Sequence, residues 1–388
     1  MMMKLARIIF VSAFILALSG AAFAEAPAGV INNFALNAGK ILSQSEGTFF
    51  FSPFSIITAF GMAYKGASGD TAAEIEKVLG FNQGFHGDLG GFVRDIDKSG
   101  QISSANRVWL RNGLTLNKDF QSTLYLFYNS EPEELDFMNA TEASRVKIND
   151  WVSSKTNNRI NNLLRNLEPE TQMILTNAVY FNARWEKTFN KERTASEDFY
   201  DGEKVVKVPM MKKHDNFDFA EFDGVKILRL PYEQGRMSMI AVLPPKESDD
   251  KNFLETLDAE TLKHWISSLD RYEVDLWLPK FKTEKRYELK NLFEALGVKL
   301  AFSDFADFSG MTDDEKLKID AIIHQTFIDV DEEKTEAAAA TAIVMLRATA
   351  MPNKPKLAEF HADHPFIYFI VDNYTGTILF MGRQTFEE

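Results

Sequence analysis

Apolar residues recur at helical spacing early in the chain and at strand spacing late, and this segregation limits the fold more than any other feature. Ile31, Phe34, Ala35, Ala38, Ile41 and Leu42 predict an amphipathic helix. Asp70 is expected to cap a second helix that Gly80 ends, and a third begins within residues 146–152. Leu289, Leu292, Phe293 and Leu296 mark a fourth, closed by Gly297. Residues 225–231 and 237–243 read as two strands of a hairpin turning over 233–236. Val274, Leu276 and Leu278 alternate with Asp275 and Trp277, and residues 366–371 and 377–381 form a closing hairpin. Regular strand–helix alternation is missing, so the fold class is α+β. No internal repeat and no Pro/Gly/Ser-rich linker divides the chain, so residues 25–388 are expected to form a single domain.

Such a domain must hold together by packing alone. The chain has 33 phenylalanines and no cysteine, which supports a large core and excludes disulfides, thiolate metal sites and a cysteine nucleophile. Residues 1–24 read as an export signal: Lys4 and Arg7, an apolar run from Ile8 to Leu18, then Ala22-Phe23-Ala24 as a cleavage site. The chain is therefore expected to be secreted, or periplasmic in a Gram-negative host. A net charge of −13 disfavours nucleic acid and anionic membrane surfaces as partners. Lys204, Lys207, Lys212 and Lys213 are the densest basic group and read as a solvated face.

Catalytic motifs are absent. No Gly-x-Ser-x-Gly, His-Glu-x-x-His or phosphate-loop lysine motif occurs, and Gly66-Ala67-Ser68-Gly69-Asp70 reads as a turn with a helix cap. His361 and His364 lack a third metal ligand in view, so neither a metal nor any other cofactor is expected. Asn139-Ala140-Thr141 and Asn373-Tyr374-Thr375 are sugar-acceptor sequons.

The stretch from Glu332 to Pro355 differs from its surroundings. It runs from Glu332-Glu333-Lys334 through an alanine-rich segment to Ile343-Val344-Met345-Leu346-Arg347, and ends in Met351-Pro352-Asn353-Lys354-Pro355. Thr335, Ala337, Ala339 and Thr341 share one strand phase, and all are small and uncharged. Alanine-rich runs also favour helices, so this segment alone leaves both readings open.

Phe50-Phe51-Ser52-Pro53-Phe54-Ser55-Ile56, Ile148-Asn149-Asp150-Trp151-Val152, Thr176-Asn177-Ala178-Val179-Tyr180-Phe181 with Trp185, Val208-Pro209-Met210-Met211, Leu278-Pro279-Lys280-Phe281 and Ala306-Asp307-Phe308-Ser309-Gly310-Met311 occur in one order with the 335–342 segment, residues 360–366, Asp372-Asn373 and residues 375–383. In that ordered set the chain resembles the serpin family of loop-inserting protease inhibitors. The resemblance implies three β-sheets, about nine helices and an exposed reactive-centre loop at about residues 333–356. It implies a monomer, not an enzyme, that traps a serine peptidase of elastase, subtilisin or trypsin type in a covalent complex. Cysteine peptidases are a possible extension, and a non-inhibitory binding or chaperone protein is the alternative. Carried over by position, the reactive bond is Ala348–Thr349, or Arg347–Ala348. The hinge is Glu332, Thr335, Ala337, Ala339 and Thr341. Ser52, Ser55, Asn177 and His324 match the shutter where the sheet parts; Trp185, Lys280 and Glu332 match the breach at the loop's mouth. Lys334 stands where the family usually has glycine, and the stretch before His364 is longer than usual, leaving Met351 and Lys354 as other bait positions.

Overall fold

Ile31, Phe34, Ala35 and Ala38 are buried on one face of the first helix, as their spacing requires. The structure, a computed structural model, describes residues 25–45, 47–82, 84–248, 250–333 and 356–386. The export signal, the hinge positions from Thr335 onward and both candidate reactive bonds lie outside the described residues.

The helices are α1 (Glu25–Ser43), α2 (Pro53–Gly66), α3 (Gly69–Leu79), α4 (Phe85–Asp97), α5 (Lys118–Tyr128), α6 (Thr141–Lys155), α7 (Asp250–Thr256), α8 (Ala259–Ser267) and α9 (Lys290–Leu296). The strands are β1 (Phe49–Phe51), β2 (Ile102–Arg111), β3 (Glu133–Leu135), β4 (Met173–Phe181), β5 (Ala195–Asp201), β6 (Lys204–Phe222) and β7 (Val225–Pro231). They continue with β8 (Met237–Leu243), β9 (Asp270–Pro279), β10 (Phe281–Glu288), β11 (Ala321–Val330), β12 (Leu357–His361), β13 (Phe366–Asp372) and β14 (Ile378–Gln384). The class is α+β.

Hydrogen bonding joins these strands into two ladders. One has five strands in the order β10-β11-β4-β2-β3. The other has nine, because the 19-residue β6 pairs with β5 at its start, with β9 through its middle and with β7 at its end. The expected count of three sheets corresponds to dividing this second ladder where β6 passes between neighbours.

Gly80 and Gly297 end α3 and α9 in the left-handed region, with φ of 77° and 113°. Asp70 is not the cap of α3: Ser68 holds that position, and Asp70 lies in the first turn, where its charge faces the helix dipole. Lys204 and Lys207 are exposed, as a solvated face requires, and Lys207 pairs with Asp198. Lys212 and Lys213 are half-buried: Lys212 pairs with Glu197, and Lys213 Nζ donates to the carbonyls of Lys187 (2.8 Å) and Thr188 (2.7 Å). Burial pushes the Lys213 ammonium down to about 8.

The five-stranded sheet is covered on both faces. Every residue of β4 is buried, with Leu175, Val179 and Phe181 in the main core and Ile174 and Ala178 in a smaller one beneath α6. Phe380 of β14 ties the ladders together, stacking on Phe50 at 5.4 Å and meeting Phe181 at 5.5 Å. Phe380→Ala is expected to cost about 3–5 kcal/mol. A lowered urea midpoint for the first unfolding transition would register this loss.

Candidate functional site

Helix α2 delivers one half of a polar cluster to the centre of the five-stranded sheet. Ser52 is its N-cap and Pro53 its first residue, a combination that fixes where the helix starts. Ser52 Oγ donates to the Leu379 carbonyl (2.7 Å) and accepts from the Ser55 amide (3.1 Å). The Ser52 amide donates to His324 Nε2 at 3.1 Å.

The other half comes from strands in register. Asn106 of β2 lies opposite Asn177 of β4, and Asn177 lies opposite His324 of β11. Asn177 Nδ2 donates to Ser55 Oγ (2.5 Å), the Ser55 carbonyl (2.8 Å) and Asn106 Oδ1 (2.5 Å). Because Nε2 accepts from Ser52, the His324 proton sits on Nδ1, which donates to Asn177 Oδ1. This last bond crosses the seam between β4 and β11. Tyr287 of β10 extends the row, stacking its ring on His324 at 6.2 Å and accepting from the Phe50 amide.

All four residues matched to the shutter are thus in one network and completely buried. Asn106 and Tyr287 were missed, since an asparagine inside Ser104-Ala105-Asn106-Arg107 carries no sign of its partner across the sheet. Burial pushes His324 down to about 3, because a charge there would have no water around it.

The residues matched to the breach gather just past the end of β11. Trp185 Nε1 donates to the Asp331 carbonyl (2.9 Å), and its ring stacks on Tyr232 at 4.6 Å. Lys280 Nζ meets Glu332 Oε2 at 2.7 Å, and Thr194 Oγ1 donates to Oε1 at 2.7 Å. The Phe189 amide donates to the Glu332 carbonyl (2.7 Å). Burial pushes the Glu332 carboxyl up, but the hydrogen bonds from Lys280 and Thr194 outweigh it and hold the pKa below the usual value. Glu333 is held in turn by Lys191 at 2.6 Å. Thr194 was another residue that sequence reasoning missed.

The seam between these two clusters has a distinctive pairing. β4 and β11 are parallel, in register from Ala321↔Ile174 to Phe327↔Tyr180. β10 and β2, on their outer sides, are antiparallel to them. The chain leaves β11 through Glu332 and Glu333 into residues 334–355, and is described again at Lys356, beside β12.

A family model described as serpin (serine protease inhibitor) matches residues 30–385. The chain is a serpin. It is 40% identical over 363 residues to an uncharacterized serpin-like protein of Thermococcus kodakarensis, covering 91% of this chain and 84% of that one. It is 35% identical over 370 residues to a horse leukocyte elastase inhibitor, covering 90% and 97%. Its fold matches a crystal structure of maspin with a TM-score of 0.86 at 29% identity, covering 94% of this serpin and 99% of maspin.

Of the two histidines weighed as metal ligands, His361 packs its ring against Trp277 at 5.0 Å and its buried Nε2 makes no hydrogen bond. His364 donates to Asp363 and to the Pro244 carbonyl, at 2.7 and 2.8 Å. Among the described residues no group of three or more potential ligands could hold a metal, and no helix is long and apolar enough to cross a membrane.

The depressed His324 pKa makes a signed prediction. As pH falls from about 6.5 toward about 3, the unfolded chain takes up a proton that the folded chain refuses. Stability from this residue is full above about 6.5 and declines below it by up to about 1.4 kcal/mol per pH unit. Urea midpoints between about pH 7.5 and about pH 5 should fall less in His324→Gln than in the parent. Equal slopes would contradict the account.

Proposed function

We propose that this serpin is a suicide inhibitor of serine peptidases, and that its five-stranded sheet opens between β4 and β11 to take in the cut loop. The observation that carries this reading is the parallel β4–β11 seam, closed by one polar row and continuous with residues 334–355. A chain that turns back after β11 runs antiparallel to both flanking strands, so one inserted strand can pair on both sides. Thr335, Ala337, Ala339 and Thr341 are small enough to be buried on one face of it. At about 0.5–1.5 kcal/mol per net hydrogen bond, a dozen or so new pairings amount to on the order of 10 kcal/mol.

In this mechanism the peptidase serine attacks the Ala348 carbonyl and Thr349 leaves as a free amine. The resulting ester is carried away with the inserting segment before water can hydrolyse it. Alanine before the cut bond suits small-pocket peptidases of elastase or subtilisin type, in line with the name of the horse relative. Cutting at Arg347–Ala348 would instead suit a trypsin-like enzyme, and Met351 and Lys354 are further bait positions. The Ser52–Ser55–Asn177–His324 cluster serves as the shutter, and Trp185, Lys280 and Glu332 as the breach that holds the loop's mouth shut. Export to the cell exterior or periplasm accords with the basic and apolar start of the sequence.

Incubation with elastase-, subtilisin- and trypsin-like enzymes should give an SDS-stable complex, with a new terminus after Ala348 or Arg347. Clean cleavage without complex would favour the second reading, a non-inhibitory binding or chaperone protein, which Lys334 at a usual glycine position favours. Ala339→Glu places a charge on the buried phase and should turn the inhibitor into a substrate, at least tenfold less efficient at trapping.

Lys280→Met should leave Glu332 without its cation. Because Lys280 is about one-third exposed, the stability cost is expected at about 1–2 kcal/mol. Faster polymer formation on native gels would report the loosened mouth.

A further inference from the structure

We propose that Arg159, in the turn that follows α6, bridges the mouth end of the β4–β11 seam, and that release of its side chain sets how fast the five-stranded sheet opens to an incoming strand. The contact stands on the geometry alone; its part in trapping rests on the inhibitory reading above.

Tyr180 and Phe327 are the last register pair of the parallel seam. They share a strand phase with Ile174, Ala178 and Ile323, the residues beneath α6, and their ring centroids lie 5.5 Å apart. Both are almost wholly buried, at 2% and 3% exposure. The Arg159 guanidinium lies over the Tyr180 ring at 5.7 Å and over the Phe327 ring at 5.9 Å, and it also donates to the Tyr180 hydroxyl. One side chain from outside the sheet thus holds both strands of the seam. Lys282 of β10 approaches the Phe327 ring as well, at 5.0 Å.

The turn is built to hold Arg159 in place. Helix α6 ends at Lys155, and Asn157 and Asn158 then take φ of 52° and 58°, the left-handed region that asparagine tolerates better than most side chains. The Arg159 amide donates to the Thr156 carbonyl (2.9 Å), and the Ile160 amide to Thr156 Oγ1 (3.2 Å). Further along, the Leu163 carbonyl accepts from Arg286 Nε of β10 at 2.7 Å, and the Leu164 carbonyl from Asn149 Nδ2 of α6 at 2.9 Å. The segment is therefore fixed to α6 on one side and to β10 on the other.

A strand inserted between β4 and β11 moves Tyr180 and Phe327 to about 10 Å apart, with a new residue between them. A guanidinium stacks within about 6 Å of a ring centroid, so Arg159 cannot keep both rings and must release at least one. Arginine suits that role. Its planar head covers aromatic surface while the sheet is closed and regains water when it lifts away, whereas an apolar cover would be exposed at a cost. The His324–Asn177 bond lies on the opposite phase of the same two strands, so the seam is held on both faces.

The test measures how fast the intact protein takes up a labelled synthetic peptide of residues 335–347, with urea midpoints to verify that each variant folds. Arg159→Ala should speed uptake about fivefold or more, while Arg159→Lys, which keeps a cation over the rings, should stay within about twofold of the parent. The comparison is repeated in a Phe327→Leu background, where Arg159 has a ring on one strand only and no longer bridges. There Arg159→Ala should add less than about twofold. A general loss of packing would instead speed uptake equally in both backgrounds. That result, or uptake at the parental rate by Arg159→Ala, overturns the proposal. A parent that takes up the peptide but traps no peptidase overturns the inhibitory reading and leaves the Arg159 effect standing. A parent that takes up no peptide overturns both.

Discussion

The hydrogen bond from His324 to Asn177 is the constraint on which the rest of the structure depends. It joins two parallel strands at the middle of a sheet that is buried on both faces. In such a place every polar atom must find a partner, because an unmet donor or acceptor costs about 1–3 kcal/mol. The surrounding parts follow from that need. Ser52 at the start of α2 takes up His324 Nε2, Ser55 and Asn106 take up the Asn177 amide, and Tyr287 closes the far side of the ring. The network makes the closed sheet a defined state rather than a loose one. It also concentrates the cost of opening on one neutral bond and one parallel ladder, a pairing slightly weaker per residue than the antiparallel ladders around it.

A second cluster of different chemistry lies just past the end of β11. Glu332 is 4% exposed, yet its carboxylate is met on both oxygens by Lys280 and Thr194 and its carbonyl by Phe189. Phe189 and Thr194 come from the connection between β4 and β5, and Lys280 from the turn between β9 and β10, so two separate stretches of chain hold the same residue. Under the proposed mechanism the two clusters act at different moments: the ion pair at the mouth sets when the loop starts inward, and the neutral row at the centre sets whether the strands part.

Much of this was legible in the sequence, and what was not has physical causes. The hairpin of β7 and β8 and the glycine stops of α3 and α9 rest on local turn chemistry, which sequence carries directly. Helix α2 escaped notice because all its residues but Lys65 are buried, so it has no polar face to reveal its period. The continuous path through β6 depends on three partner strands along its edges, and the start of α3, where Ser68 rather than Asp70 precedes the first turn, is held by the distant Asp307 carbonyl, which accepts from the Ser68 amide. At the site, Ser52, Ser55, Asn177, His324, Trp185, Lys280 and Glu332 were found through family resemblance. Asn106, Thr194 and Tyr287 complete the two clusters only through cross-strand register and tertiary approach, which no local pattern encodes.

The most direct measurement is a crystal structure of the protein after its loop has been cut between Arg347 and Lys354. The account predicts β4 and β11 separated by an intervening antiparallel strand, their spacing doubled to about 9.6 Å, with the His324–Asn177 bond gone. Finding Ala321 still opposite Ile174 and His324 still bonded to Asn177 in the cut protein would contradict it.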